Sequence, residues 1–287
     1  METSLLHRMS SHKIRLLKSN DLPDLLALSR QAGWNQTESD WSRLLTLAPQ
    51  SCFGVEVGND IVATTTAMLY AKELAWIGMV LTAEPHRGQG MATALLDHTL
   101  AQLKEREVGW AKLDATEQGR PIYTKLGFHD EFPVERWRRA PGKGFQPTTS
   151  RPVHPYVVDP SFDRAYFGAY RIPLLNALAR EASADLVVGY GFAMNRPGSR
   201  ARYFGPSVVR TRDAARALLE AFLAKYPNEE IYWDMLPDNT DAVQLAIDNG
   251  FEPSRHLTRM SLALQPGIRP LVQNSSSVFA IAGFEYG

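Results

Sequence analysis

The chain has 287 residues, of which 44% are hydrophobic and 22% charged, and its 31 basic side chains are balanced by 31 acidic ones. That length exceeds one small core and predicts two globular domains, while a formal net charge of zero supplies no field to hold nucleic acid or an anionic membrane surface. A single cysteine, Cys52, excludes an intramolecular disulfide and a zinc cluster of thiolates, so Cys52 reads as core and no metal is expected.

Met1 to His12 lacks the apolar stretch of a signal peptide and no later run reaches membrane-spanning length, which predicts a soluble, cytoplasmic protein. A short strand is expected at Ile14 to Leu17, followed by a helix capped by Asn20 or Asp21 that buries Leu22, Leu25, Leu26 and Leu28 and runs to Ala32. Thr37 with Asp40 three residues on is an acidic variant of the capping box, and it opens a second helix carrying Trp41, Leu44 and Leu45. Cys52 to Val57, the turn Gly58-Asn59-Asp60 and Ile61 to Tyr70 make an antiparallel hairpin. Leu74 to Thr82 is a further strand, leading through Arg87-Gly88-Gln89-Gly90 into a helix from Met91 to Arg106. Ala111 to Ala115 reads as a strand, Gly119 to Leu126 as a short helix and Phe128 to Trp137 as a closing strand.

Residues 139–155, rich in proline, glycine and arginine, read as a linker between a first domain over 1–138 and a second over 156–287. In the second, a helix is expected over Asp163 to Ala182 despite Pro173, then strands at Leu186 to Met194 and Ala201 to Phe204. A helix at Thr211 to Lys225, a strand at Glu230 to Met235 and a helix at Thr240 to Asn249 follow. Asp163, Arg164 and Arg171 form the charged strip of an amphipathic helix, and Arg196 to Arg202 reads either as an acidic-group site or as a solvated hairpin tip. The apolar run Val278 to Phe284 must be buried, by adding a strand to one domain or by covering the site.

The chain also repeats itself. Ala92-Thr93-Ala94-Leu95-Leu96 recurs 123 positions later as Ala215-Arg216-Ala217-Leu218-Leu219, and Gly127-Phe128 recurs at the same shift as Gly250-Phe251. The copies differ where chemistry would occur: Thr211-Arg212-Asp213 replaces Gly88-Gln89-Gly90, and Ala246 replaces Tyr123. One active site per chain is therefore expected, in the first copy.

A strand-to-helix loop with Gly88 and Gly90 presents free backbone amides at the positive end of a helix dipole, a cradle for a diphosphate, with Arg87 as a cation at its rim and small Ala92 in the first turn. The same glycines would serve a plain turn at φ > 0, or the first two glycines of a dinucleotide loop whose third position falls on Thr93 and whose ribose ligand would be Asp114.

Arg87-x-x-Gly90-x-Ala92 and Tyr123-x-x-x-Gly127-Phe128 together resemble the acyl-CoA signature and the later tyrosine motif of the GNAT superfamily of N-acyltransferases. The resemblance covers Lys13 to Trp137, with a degenerate second copy after it. It implies an α/β (α+β) fold of two GNAT-like domains, each a mixed, mostly antiparallel sheet flanked by helices. It further implies that the diphosphate of acetyl-CoA rests on Arg87, Gly88, Gln89, Gly90, Met91, Ala92 and Thr93, while its pantetheine arm pairs with Val80, Leu81 and Thr82 where two parallel strands splay. Thr116 stands where the family often has asparagine.

The implied reaction moves an acetyl group to an amine of a small molecule or peptide by direct attack on the thioester. Tyr123, protonated at neutral pH, is the expected general acid, against the alternative that its ring only packs beside Phe128. Strand Leu74 to Thr82 holds no carboxylate, so Asp114 and Glu117 are the expected acidic candidates for base, set against a turn-capping Asp114 and a solvated Glu117, with His86 and His129 as surface neighbours. The degenerate copy would shape the substrate pocket or a homodimer surface. A non-catalytic acyl-CoA sensor and a nicotinamide-dependent dehydrogenase are the competing functions.

Overall fold

The computed structural model describes residues 13–144, 152–155, 160–181, 184–187, 190–271 and 274–287, so much of the expected linker lies outside the described residues. The first half comprises β1 (Lys13–Leu16), α1 (Leu22–Gln31), α2 (Glu38–Leu47), β2 (Cys52–Val57), β3 (Asp60–Tyr70), β4 (Leu74–Thr82), α3 (Met91–Glu105), β5 (Trp110–Ala115), α4 (Arg120–Lys125) and β6 (His129–Arg139). In the second half are β7 (His154–Pro155), α5 (Pro160–Phe167), α6 (Ile172–Glu181), β8 (Ala184–Val187), β9 (Gly191–Arg196), β10 (Arg202–Val209), α7 (Arg212–Lys225), β11 (Ile231–Met235), α8 (Thr240–Asp248), β12 (Glu252–Ala263) and β13 (Val278–Ala280). Among the described residues no helix is long and apolar enough to cross a membrane.

Local chemistry explains several boundaries. The Thr37 hydroxyl accepts from the Asp40 amide at 3.3 Å and the Asp40 carboxylate accepts from the Thr37 amide at 2.8 Å, the reciprocal capping that starts α2. The expected helix over Asp163 to Ala182 is instead two helices, because Gly168 takes a left-handed φ of 90° that ends α5 and Pro173 stands in the first turn of α6. Likewise the expected strand Leu186 to Met194 is the hairpin β8–β9, and β12 forms where no strand was foreseen.

The two expected sheets are joined into one. A 13-stranded mixed sheet runs β1-β2-β3-β4-β5-β12-β6-β11-β10-β9-β8-β7, with β13 on β10. The halves meet by exchanging their last strands: β12 pairs with β5 of the first half, and β6 pairs with β11 of the second. β6 and β12 also pair with each other, from Glu252↔Arg138 to Ser261↔His129. Adding the repeat shift to α3, β5, α4 and β6 lands on α7, β11, α8 and β12, so the exchange relates equivalent elements.

Apolar packing follows the same geometry. On one face, Leu25 of α1, Trp41 and Leu44 of α2, and Trp76 and Met79 of β4 pack with Phe167, Leu175, Phe192 and Tyr286 from the second half. The opposite face buries Ile77, Leu96, Leu113, Tyr123, Phe128 and Met260 beneath α3 and α4. A separate core holds Phe204, Phe222, Trp233 and Phe251 around α7. Alternation along β4 thus sends Trp76 and Ile77 to different sides, and a β-bulge near Met79, whose φ is 50°, breaks the register between Thr64↔Leu81 and Thr66↔Gly78.

Candidate functional site

β4 and β5 run parallel and pair only from Leu74↔Trp110 to Trp76↔Lys112, although β4 continues to Thr82 and β5 to Ala115. Past Trp76 each strand bonds only its outer neighbour: β4 stays with β3, and β5 with β12. The opening between them leads into a cavity of about 730 Å³.

The glycine loop borders this cavity. Gly88 and Gly90 have φ of 75° and 80°, a region that disfavours any residue with a β-carbon, and nothing lies within 4 Å of where either β-carbon would be. Gly90 is the N-cap of α3 and supplies no side-chain cap, so the first amides of the helix are left for a ligand. Of the expected cofactor residues, Val80, Leu81, Thr82, Arg87, Gly88, Gly90, Met91, Ala92 and Thr93 line the cavity. The Gln89 side chain instead donates to the Pro85 carbonyl at 3.1 Å. Open left-handed glycines, uncapped amides and the Arg87 cation fit a diphosphate, and the slot between β4 and β5 fits an extended chain with amide groups.

The second copy is built differently at each of these points. Thr211 caps α7 with its own side chain, accepting from the Ala214 amide at 3.4 Å. β10 and β11 also run parallel, pairing from Arg202↔Ile231 to Phe204↔Trp233. Beyond that pairing the chain's own tail enters: β13 pairs with β10, the Ile281 amide donates to the backbone carbonyl of Asp234 in β11 at 3.0 Å, and the Trp233 indole donates to the Phe279 carbonyl at 2.7 Å. Asn239 holds the same segment by donating to the Ser276 and Val278 carbonyls at 3.1 and 3.0 Å. The tail therefore occupies in the second copy the slot that stays open in the first.

Having crossed that slot, the tail reaches the first copy. Phe284 and Glu285 line the large cavity, the Trp76 indole donates to the Phe284 carbonyl at 2.9 Å, and Tyr70 donates to the Tyr286 carbonyl at 2.6 Å. Both alternatives foreseen for Val278 to Phe284 hold together, since one stretch adds a strand and the next walls the site.

Tyr123, from α4, also lines the cavity, with its ring edge-on to Phe128 at 6.0 Å between centroids. Burial pushes its phenol up to about 12, which keeps it protonated through the neutral range. Asp114 lies on the cavity wall, but both its oxygens accept from Arg259, at 2.8 and 3.0 Å, and its side chain is fully buried. Burial raises its pKa against the pull of Arg259. Glu117 is not brought to this cavity: it is exposed and borders a separate groove with Arg120 and His129. His86 lines the cavity rim and Cys52 is buried in the core, where burial pushes its thiol up to about 12.

A carboxylate that sequence reasoning missed, Glu285, also lines this cavity. Glu285 is buried against Gly78 at the bulged part of β4, accepting from Arg196 at 3.0 Å and from Gln36 at 3.1 Å. Burial raises its pKa, outweighing Arg196, and neighbouring Asp40 adds to the rise. Asp40 itself, despite burial, is held below the usual carboxylate range by Arg196 and Arg43. Arg196 itself thus belongs to a buried ion network, whereas residues 197–200 beyond it form the mostly exposed tip of the β9–β10 hairpin, the second of the two readings foreseen for Arg196 to Arg202. Asp163 and Arg171, expected on a solvated strip, are likewise a buried bidentate pair, at 2.8 and 2.9 Å.

Comparison with known proteins agrees with this geometry. A family model described as the acetyltransferase (GNAT) family matches residues 20–128, and a second, the acetyltransferase (GNAT) domain, matches 160–273. YitH of Bacillus subtilis (strain 168), named an uncharacterized N-acetyltransferase, is 26% identical over 255 residues, covering 82% of this chain and 86% of the relative. A solved protein of Pyrococcus horikoshii, designated an acetyltransferase, superposes with a TM-score of 0.81 at 22% identity, over 96% of this chain and 95% of that one. A tandem GNAT protein from the clavulanic acid biosynthesis pathway does so at 0.64 and 14% identity, over 89% of this chain and 99% of that one. These two structures share the fold.

Proposed function

Because the chain belongs to the GNAT acetyltransferase family, with two GNAT domains in tandem, we propose that it is an acetyl-CoA-dependent N-acetyltransferase whose one working site lies in the first domain, residues 1–138. The observation that carries this reading is the single cavity joining the open glycine loop, the parted ends of β4 and β5, and Tyr123. Members of the family draw their acyl group from acyl-CoA. The second domain, residues 156–287 beyond a linker at 139–155, contributes wall and tail rather than a second site.

Bound there, acetyl-CoA would supply an acetyl thioester whose carbonyl carbon accepts an amine nitrogen, forming the amide as the carbon–sulfur bond breaks. Arg87 and the amides of Gly88 to Thr93 would hold the diphosphate, and the free edge of Val80 to Thr82 the pantetheine amides. Tyr123 donates a hydrogen bond toward the departing sulfur. With its pKa near 12 against about 8.5 for a thiol, the phenol stabilises the thiolate by holding the shared proton rather than by surrendering it early.

Glu285 takes the proton lost by the attacking nitrogen: Arg259 holds both Asp114 oxygens and Glu117 faces elsewhere, whereas Arg196 holds one Glu285 oxygen and the other, among the described residues, accepts only from the neutral Gln36 amide. Its raised pKa makes it a stronger base than an exposed glutamate. Gln36 Oε1, buried without a partner among the described residues, is free to accept an N–H from the amine. Once the product leaves, Glu285 returns its proton to solvent and the released thiolate takes one from solvent, while Tyr123 stays protonated throughout. The acceptor is an amine of a small molecule or peptide.

The test is acetyl transfer itself, followed as free CoA thiol released in the presence of a panel of amines. Turnover with an amine product of the acetylated mass supports the reading; binding of acetyl-CoA with no transfer to any amine supports the acyl-CoA sensor instead.

A further inference from the structure

On the side of α1, α2 and the tail, Arg136 and Arg255 line the cavity, and Arg196 and Arg259 stand behind it, holding the lining carboxylates Glu285 and Asp114. Arg259 is neutralised by Asp114, Arg196 by Glu285 and Asp40, and Arg136 by Asp234, whose two oxygens each accept from it at 2.7 Å. Arg255 is the exception. It lies on β12 directly across from Arg136 of β6, lines the same cavity, is half-buried, and has no hydrogen bond or ion pair among the described residues.

Strand alternation places Arg255, Leu257 and Arg259 on one face of β12, and Arg259 stacks over Trp76, so this is the face of α1, α2 and the tail. α3, with the phosphate cradle at its N-terminus, packs on the opposite face. Arg255 is also two strands removed from β4, with β5 between. It therefore stands apart from the cradle, on the side of the splay where Glu285 and Gln36 await the amine. A guanidinium in that position, half withdrawn from water beside a second cation, is incomplete without an anion.

We propose that Arg255 receives a carboxylate carried by the acceptor, so that the substrate is an amine with an acidic group, its nitrogen directed to Glu285 and its carboxylate to Arg255. The proposal rests on the acetyltransferase reading and names its substrate class. One unmatched cation sharing the cavity wall with apolar Leu257 and Phe284 suits a monoanion; a phosphate, with its double charge, would call for a second free cation.

The experiment compares matched acceptors: α- and ω-amino acids of increasing length, the corresponding carboxamides, and phosphoethanolamine. In the wild type the best acid should exceed its amide in kcat/KM by about ten- to a hundred-fold. Arg255→Gln should abolish that preference through KM for the acceptor, Arg255→Lys should restore part of it, and KM for acetyl-CoA should stay unchanged in both. Equal use of acid and amide, or a preference for phosphoethanolamine, would overturn the carboxylate assignment while leaving the acetyltransferase intact. A rise in KM for acetyl-CoA would give Arg255 to the cofactor instead. Calorimetry of the same pairs with CoA-saturated protein separates the two levels of the argument, because selective binding of an acid that needs Arg255 supports the subsite without turnover, and no selectivity contradicts it.

Discussion

Gly78 and Glu285 are in backbone contact: a β-carbon on Gly78 would stand 2.9 Å from the Glu285 Cα. The absence of a side chain at one position in the first domain thus lets the tail of the second lie against the cavity. Gly78→Ala should push the tail outward, cost about 1 to 3 kcal/mol of stability as overpacking does, and lower kcat with amines while leaving acetyl-CoA affinity near wild type. Thermal unfolding and calorimetry measure the two effects. An unchanged kcat would show that the tail takes no part in catalysis.

Glu285→Gln separates charge from packing at the same place. Because the Glu285 pKa is raised, the carboxylate is protonated and inactive as a base at low pH, and it gains function as pH rises through that raised value. The acid limb of kcat/KM should accordingly lie above the range of an ordinary glutamate. In the glutamine variant that limb should vanish and kcat should fall by about 100-fold or more. A variant with the wild-type profile would remove Glu285 from the mechanism.

For Tyr123→Phe the expectation is a loss of kcat of about 100-fold with a melting temperature close to wild type, since the ring can still pack on Phe128. Burial holds the phenol near 12, so the wild type should show no alkaline loss traceable to Tyr123 below about pH 11. Activity that survives the substitution would return Tyr123 to a packing role.

Asp114 gives the opposite pattern. Its removal strands the buried Arg259 guanidinium, so Asp114→Ala should cost about 3 to 5 kcal/mol in denaturant unfolding, and Asp114→Leu with Arg259→Met should recover much of it. A large fall in kcat with unchanged stability would instead restore Asp114 as the base.

The parts of this site that were legible in the sequence are local in the chain. Gly88 and Gly90 announce the loop, Thr37 and Asp40 the start of α2, and the paired motifs around Arg87 and Tyr123 the family. What escaped depends on contacts between distant segments. Glu285 is invisible beside β4 because the tail must first cross the slot between β10 and β11. The strand exchange of β6 and β12 has no local signature, yet β12 itself was within reach: the Gly250-Phe251 repeat of Gly127-Phe128 makes the residues after it the counterpart of β6 at the same shift. Single helices were over-extended where one left-handed glycine, Gly168, ended α5. Charged side chains were read as solvated because their partners, such as Asp163 for Arg171 or Asp40 and Glu285 for Arg196, meet them only in the folded core.

The central claim is tested most directly by calorimetric titration with acetyl-CoA, comparing the wild type with Gly90→Leu, which places a branched side chain on the left-handed N-cap of α3. The account predicts one site per chain with affinity in the micromolar range usual for such ligands, abolished by the substitution in a protein that still unfolds cooperatively. Two sites per chain would contradict the closure of the second slot by β13, and no binding to the wild type would contradict the acetyltransferase.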